Sequence, residues 1–114
     1  MANLNRIIVV GRVNTEPELR STLDSIPVTK FQLAVDRNKP AGLKKEIDCF
    51  DIVAWRNLAE IAGNYLKKGQ LVLIDGRIQN RSFETKDGSK KYLTEIVANN
   101  ITMLEKGKDK ILFG

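Results

Sequence analysis

Residues 47–69 of the chain read IDCFDIVAWRNLAEIAGNYLKKG, and this stretch contains two hydrophobic periods in succession. Residues 47–55 alternate, with Phe50, Ile52 and Ala54 on one face of a predicted β-strand. The opposite face of that strand carries Cys49, Asp51, Val53 and Trp55. The period then becomes helical, because apolar residues recur at i, i+3, i+4, i+7 and i+8, at Leu58, Ile61, Ala62, Tyr65 and Leu66. Two lysines and a glycine at 67–69 predict the end of this helix.

Further strands are predicted on both sides of this stretch. Residues 5–13 form a β-type run in which Gly11 marks a bulge or a sharp bend. Residues 28–37 alternate strictly, with Phe31, Leu33 and Val35 on one face. Residues 70–83 and 91–103 follow the helix and are joined by a hairpin turn at 86–89. The order β-β-β-α-β-β predicts an all-β protein with one helix. This order is that of an OB-fold, so we expect a five-stranded Greek-key barrel whose helix lies between strands three and four.

Length and composition indicate one soluble domain. The 114 residues, 42% hydrophobic and 29% charged, are typical of a small globular protein. No apolar run reaches the roughly 20 residues of a membrane helix. The first residues also lack a signal-peptide pattern. One cysteine, Cys49, cannot form an internal disulfide, which fits a reducing compartment. We therefore expect a cytoplasmic protein.

The residue types that are missing limit the chemistry. The sequence has no histidine, which excludes His-based catalytic triads and zinc sites with His ligands. No glycine-rich phosphate loop of the common spacings is present. We therefore expect a protein that is not an enzyme and that has no cofactor or catalytic metal.

Positive charge is concentrated in one predicted loop. The net charge is +5, and residues 37–45 contribute four cations and no acid, so the rest of the chain is at 5 − 4 = +1. A basic surface favours a polyanionic partner, because phosphate binding releases condensed counterions. A solvated loop whose lysines only aid solubility explains this composition equally well.

Several strings, in order and at similar spacing, resemble the bacterial single-stranded DNA-binding protein family over residues 5–104. They are NRIIVVGRV at 5–13, EPELR at 16–20, FQLAV at 31–35, IVAWRNLAE at 52–60, YLKKG at 65–69, DGRIQNR at 75–81 and YLTE at 92–95. The resemblance implies an OB-fold domain, at residues 1–104, that forms a homotetramer. It also implies binding of single-stranded DNA with little sequence preference, in replication, recombination and repair, at the nucleoid.

The C-terminal residues differ from the family pattern. Family members commonly continue into a linker and a short acidic C-terminus that recruits other proteins. Residues 105–114 contain three lysines and two acids, without an acidic cluster. We therefore expect a short C-terminal tail that lacks the partner-recruiting motif.

The predicted fourth strand carries the strongest candidates for DNA contact. A sequence-neutral binder needs aromatic rings to stack on bases and cations to bind phosphates. Alternation places Arg77, Arg81 and Phe83 on one face, and Ile74 and Ile78 on the other face, which packs a core. The family has an aromatic residue at the position of Phe83. That match favours stacking over a place beneath a neighbouring loop.

The lone tryptophan, Trp55, is a second candidate. A lone tryptophan is more often a core residue, but the family has an aromatic residue here that contacts DNA. Arg56 beside it is a candidate for stacking or phosphate pairing, or is simply exposed at the helix start. The family usually has aromatic residues where this chain has Cys49 and Lys39. We therefore expect binding to depend more on Trp55, Phe83 and electrostatics, with Cys49 an inert strand residue.

The remaining candidates are basic residues, each of which is also explained as a solvated surface charge. They are Arg6, Arg12, Arg37, Lys39, Lys44, Lys45, Lys68, Arg77 and Arg81. The cluster at 37–45 is favoured, because a basic loop can fold over a bound strand. Three aromatic residues, Phe31, Phe50 and Tyr65, are assigned to the core.

Two other functions fit parts of the pattern. An OB-fold module for RNA or for another protein remains open, because aromatic residues make up only 6% of the chain. A nuclease would need clustered carboxylates to hold a divalent metal. The only close acidic pair near the proposed site, Asp48 and Asp51, is sent to opposite faces by alternation, which argues against this activity.

Overall fold

The computed structural model describes residues 2–37, 46–105 and 110–113, which form seven strands and one helix. In chain order these are β1 Ile7–Val13, β2 Glu18–Ser21, β3 Pro27–Asp36, β4 Ile47–Trp55, α1 Arg56–Tyr65, β5 Leu71–Glu84, β6 Lys90–Glu105 and β7 Lys110–Phe113. The five strands expected from the sequence are β1, β3, β4, β5 and β6. The helix follows the third of them directly, as predicted.

Five strands close a barrel. β1 pairs with β5, β5 with β6, and β4 with β3, all antiparallel. β6 pairs with β4 in parallel, with Glu95 to Val97 beside Asp51 to Val53. β3 returns to β1 at Arg12, and this pairing closes the ring. The predicted OB-fold is confirmed.

Two short strands were not expected. β2 lies between the first two predicted strands and pairs with the edge of β3. β7 lies in the predicted tail and pairs with β6 over Thr102 to Glu105. All four residues of β2 are exposed, so the strand has no apolar alternation to identify it.

Alternating apolar side chains fill the barrel. Leu33 and Ile74 are fully buried, and α1 covers one end of the barrel with Ala59 and Ala62. Burial of a side chain such as Leu33 contributes about 1.5–3 kcal/mol. The buried Thr29 hydroxyl donates a hydrogen bond to the carbonyl oxygen of Ala59 at 2.6 Å, and so fastens the helix to β3.

The structure corrects the predicted helix end. Tyr65 is 63% exposed rather than part of the core, because the helix buries the side that carries its two alanines and Tyr65 lies at the border of that side. The helix also stops at Tyr65, so the lysines at 67–68 lie beyond its last turn. Gly69 instead ends the following turn, with φ 96°, and donates its amide to the carbonyl of Val13.

A second correction concerns β5. Ile78 is 43% exposed instead of lying in the core with Ile74. β1 accompanies β5 only as far as Gly76, where the β5–β6 register shifts. Beyond this point the β5–β6 hairpin leaves β1, and between residues 80 and 94 it pairs with neither β1 nor β4 and projects from the barrel. We call residues 77–97 the arm.

Candidate nucleic-acid interface

The outer surfaces of β3, β4, β5 and β6 form one continuous sheet, which we call the front face. Strand register places Lys30 beside Val53, Val53 beside Val97, and Val97 beside Arg77. Adjacent strands lie about 4.8 Å apart, so this row crosses the sheet in about 14 Å. The front face therefore brings side chains from both halves of the chain onto one surface.

Trp55 lies at one end of the front face, where β4 passes into α1. Its side chain is 40% exposed, so the ring is partly available to a ligand. Its backbone is extended, whereas Arg56 has φ 58°, a left-handed conformation that turns the chain into the helix. Because Trp55 belongs both to a paired strand and to the helix boundary, its backbone is held firmly.

Phe83 lies near the tip of the arm, on the same face as Arg77 and Arg81. It is 48% exposed and pairs in register with Lys91 of β6. The ring is therefore not covered by a neighbouring loop. Arg77 donates a long hydrogen bond, 3.4 Å, to the neutral amide oxygen of Gln79, which does not neutralise its charge.

Arg81 differs from Arg77 because it is held by a buried acid. Its Nε and Nη2 atoms donate hydrogen bonds to the two carboxylate oxygens of Glu95, both at 3.2 Å. The side chain of Glu95 is 4% exposed and that of Arg81 is 48% exposed. One side of the Arg81 guanidinium therefore neutralises the buried Glu95 carboxylate, and the other side still faces solvent.

A groove of about 410 Å³ runs between the segment before β2 and the arm. Its charged lining residues are Glu16, Glu18, Lys30, Asp51, Arg81 and Glu95. Carboxylates outnumber cations in this groove. The electrostatic environment of the groove floor is therefore less favourable for an anion than the parts of the front face that carry Arg77 and Lys91.

Two predicted cations are tied to acids elsewhere. Arg6 makes a two-pronged contact with Asp75, which raises the pKa of Arg6 and lowers that of Asp75, chiefly through side-chain hydrogen bonding. Arg37 contacts Asp48 and Glu46, and the Asp48 hydrogen bonds raise the pKa of Arg37 and lower that of Asp48. These guanidiniums are half or more exposed, but a DNA phosphate would have to compete with their partners.

Arg12 and Lys68 come together in a separate groove of about 450 Å³, beside the β1–β3 junction. Arg12 donates a hydrogen bond to the carbonyl oxygen of Gly69 at 3.1 Å. Asp36 also lines this groove. The predicted cations therefore fall into at least two places on the surface, while Lys39, Lys44 and Lys45 lie outside the described residues.

The structure adds two cations that the sequence analysis did not select. Arg20 of β2 is in register with Val28, which is in register with Trp55, so Arg20 and Trp55 share a row. Like Arg6 and Arg37, Arg20 is paired with an acid, Glu18, at 2.7 Å. Lys30 is exposed on the front face one row away. Alternation along β3 already placed Lys30 on the polar face. Arg20 was not identifiable, because β2 has no periodic signal.

The acidic pair considered for a nuclease is separated. Asp48 accepts hydrogen bonds from Arg37, whereas Asp51 lies on the front face beside Glu95 and Gln32. Within the described ranges, no group of three or more Cys, Asp or Glu side chains is arranged to hold a metal ion. Nor does the described helix have the length and apolar character required to cross a bilayer.

The sequence is similar to those of known proteins over most of its length. Residues 4–104 match the model of the single-strand binding protein family. A single-stranded DNA-binding protein of Clostridium tetani is 45% identical over 105 residues, which cover 91% of this chain and 72% of the relative. A second, from Caldanaerobacter subterraneus, is 44% identical over 104 residues, covering 90% of this chain and 69% of the relative.

A solved structure is also similar. The Plasmodium falciparum SSB in complex with ssDNA superposes with a TM-score of 0.82 at 28% sequence identity. The match covers 92% of this chain and 98% of that one.

Proposed function

The chain belongs to the single-strand binding protein family, and from this premise we propose that it coats single-stranded DNA without sequence preference in replication, recombination and repair. The observation that carries the proposal is the front face, which exposes Trp55 on the barrel and Phe83 on the arm among cations. Unpaired bases present flat faces that stack on such rings whatever their identity. The ligand is therefore a flexible polynucleotide, not a folded duplex.

We propose that the two exposed rings stack on bases and that the cations around them bind phosphates. The nearest cations by strand register are Arg20, Lys30, Arg77, Arg81 and Lys91. Arg56 follows Trp55 directly and extends this set. Arg6, Arg12, Arg37 and Lys68 lie around other parts of the barrel, along paths that a longer strand can follow. We propose that Lys39, Lys44 and Lys45 also bind phosphates.

We propose that residues 1–104 are the DNA-binding domain and that the protein assembles as a homotetramer, as the family resemblance implies. Ile8 and Val10 support assembly, because these apolar side chains of β1 are 55% and 44% exposed and a second copy can bury them. Light scattering of the purified protein tests the assembly state. We further propose that the protein binds DNA without catalysis, at the nucleoid in the cytoplasm, and that residues 105–114 do not recruit partners.

Quenching of the single tryptophan tests the main proposal. Titration with oligo-dT at low salt should quench Trp55 fluorescence, because a base stacks on the exposed ring. Trp55→Ala should lose about 1–3 kcal/mol of binding free energy, the usual value of one stacked base. Tyr65→Ala, which removes another exposed ring from the far end of α1, serves as the matched control and should bind as the wild type does.

Competition between nucleic acids of equal length tests the ligand class. Single-stranded DNA should displace labelled oligo-dT far better than duplex DNA does. Preference for duplex, or no binding of oligo-dT at low ionic strength, contradicts the proposal. Stronger competition by RNA would assign the same face to RNA.

A further inference from the structure

The back of the arm carries an exposed ring that the proposed front-face site does not use. Tyr92 is 76% exposed, more than either Trp55 or Phe83. It pairs in register with Ser82, and Phe83 pairs with Lys91. Neighbouring residues of a strand point to opposite faces, so Phe83 and Tyr92 lie on opposite sides of the arm at adjacent steps of the same ladder.

Both long edges of the outer arm, residues 80–94, are accessible. β1 accompanies β5 only to Gly76, and β4 accompanies β6 only from Glu95 to Val97. Between 80 and 94 the described structure is therefore a two-stranded ribbon, with solvent on both faces and both edges. A strand that reaches Phe83 can pass over an edge of this ribbon to its back.

The back of the arm has the composition of a stacking surface. Its side chains between barrel and tip are uncharged, namely Ile78, Asn80, Ser82, Tyr92 and Thr94, and an opposed pair of charges, Glu84 and Lys90, follows at the tip end. The Thr94 hydroxyl donates a hydrogen bond to the side-chain oxygen of Asn80 at 2.8 Å and ties the two strands together on this side. The arm as a whole carries five cations and three acids, which suits a polyanion that passes around it.

We propose that Tyr92 is a second base-stacking site on the arm, occupied by the same DNA strand after it has passed from Phe83 around the ribbon. The inference rests on the proposed function, because it requires a bound single strand on the front face. It specifies the path of the bound strand, which contacts the arm on both sides. Only a strand long enough to reach around the arm makes the second contact. A ring on each side also resists lateral slippage of the strand.

The test compares two lengths of oligo-dT. One of about 8 nucleotides lies within the range of about 4–16 that a single OB-fold covers, and one of about 30 nucleotides exceeds it. Tyr92→Leu, which keeps an apolar side chain but removes the ring, should weaken binding of the long oligonucleotide about tenfold and leave the short one unchanged. Tyr92→Phe should restore wild-type binding, because stacking needs the ring and not the hydroxyl. Tyr65→Leu, which makes the same change at an exposed ring on α1, is the matched control.

A direct measurement does not depend on any variant. Long oligonucleotides containing 5-iododeoxyuridine should crosslink to Tyr92 of the wild-type protein on irradiation, with the site identified by mass spectrometry, and short ones should not. Wild-type affinity of Tyr92→Leu for the long strand, or no crosslink at Tyr92, would overturn the inference. Equal losses at both lengths would refute the path around the arm. A changed molecular mass of Tyr92→Leu would instead assign the ring to contacts between copies.

These outcomes separate the inference from the proposed function. If the wild-type protein does not bind oligo-dT at all, the proposed function fails. If it binds with Trp55 quenched while Tyr92 has no effect, only the second stacking site is rejected.

Discussion

The carboxylate of Glu95 is buried under the guanidinium of Arg81, which reaches it across the β5–β6 ladder with both nitrogen–oxygen distances at 3.2 Å. In register, Glu95 lies between Gln79 of β5 and Asp51 of β4, near the middle of the front face. A buried carboxylate without a partner is costly, because it loses its hydration and gains nothing in return. Arg81 is therefore both a structural residue and a candidate for phosphate contact.

The two roles of Arg81 are separable by mutation. Arg81→Ala should lower the free energy of unfolding by about 1–3 kcal/mol, since it leaves a buried acceptor unsatisfied. Adding Glu95→Gln to this variant should recover part of the loss. Arg77→Ala is the control, because its contact with Gln79 is long and exposed, and it should change stability by no more than about 0.5 kcal/mol. Chemical denaturation measures each variant, and equal stability of the Arg81 and Arg77 variants would contradict the structural role.

Lys39, Lys44 and Lys45 should contribute to affinity by binding phosphates. Replacing Lys39, Lys44 and Lys45 by Gln should weaken oligo-dT binding and reduce the slope of log K against log salt by about 0.7 for each phosphate that the variant no longer neutralises. Lys67→Gln, beyond the helix, removes one charge elsewhere and should have a smaller effect. An unchanged slope in the triple variant would exclude these three lysines from phosphate binding.

An added ring at Cys49 should increase affinity. Cys49 is exposed on the front face, on the same side of β4 as Trp55 and about 20 Å away at about 3.3 Å per residue. Because the site is open, Cys49→Phe can add a stacking surface without disturbing the core, and it should strengthen binding by about 1 kcal/mol. Cys49→Ser is the control. Equal oligo-dT affinities of the Phe and Ser variants would show that the bound strand does not pass this position.

Protonation of Asp75 should account for part of the loss of stability in acid. Its hydrogen bonds with Arg6 hold the pKa of Asp75 below the ordinary value of 3.8. Because the pKa of Asp75 is lower in the folded than in the unfolded state, its ionised carboxylate stabilises the protein at pH values above the unfolded-state pKa. This contribution is lost as the pH falls through the folded-state pKa. Thermal melts from about pH 7 down to about pH 2 should therefore show a shallower acid decline for Asp75→Asn than for the wild type. Asp24→Asn, on an exposed turn, should retain the wild-type profile.

Gly76 should be intolerant of a side chain. A Cβ at this position would collide with the backbone carbonyl of Val97, at the point where the β5–β6 register shifts. Gly76→Ala should therefore cost about 1–3 kcal/mol, because backbone must move to admit the methyl group. Gly88→Asn is the matched control: Gly88 has φ 85° and open space around it, and Asn accepts that conformation. Similar melting temperatures for the two variants would contradict this account.

Some of the candidate binding residues could be recognised from the sequence and others could not. Alternation along β5 placed Arg77, Arg81 and Phe83 on one face, and the structure has them there. The same reasoning gave no means to see that Arg81 is held by Glu95, 14 residues away, or that Arg20 shares a row with Trp55. Both relationships depend on which strands become neighbours and in what register, and a single strand's period does not contain that information.

The sequence by itself determined the strands of the barrel, the one helix and its place in the chain order. A local hydrophobic period indicates each of these elements, because strand or helix geometry then brings the apolar residues onto one face, which is buried. Only the tertiary structure decided that Tyr65 and Ile78 are exposed, because their burial depends on how far the helix and β5 extend past the barrel. It also decided that the arm presents a ring on each side. The exposure of those rings follows from the absence of β1 and β4 beside the outer arm within the described structure.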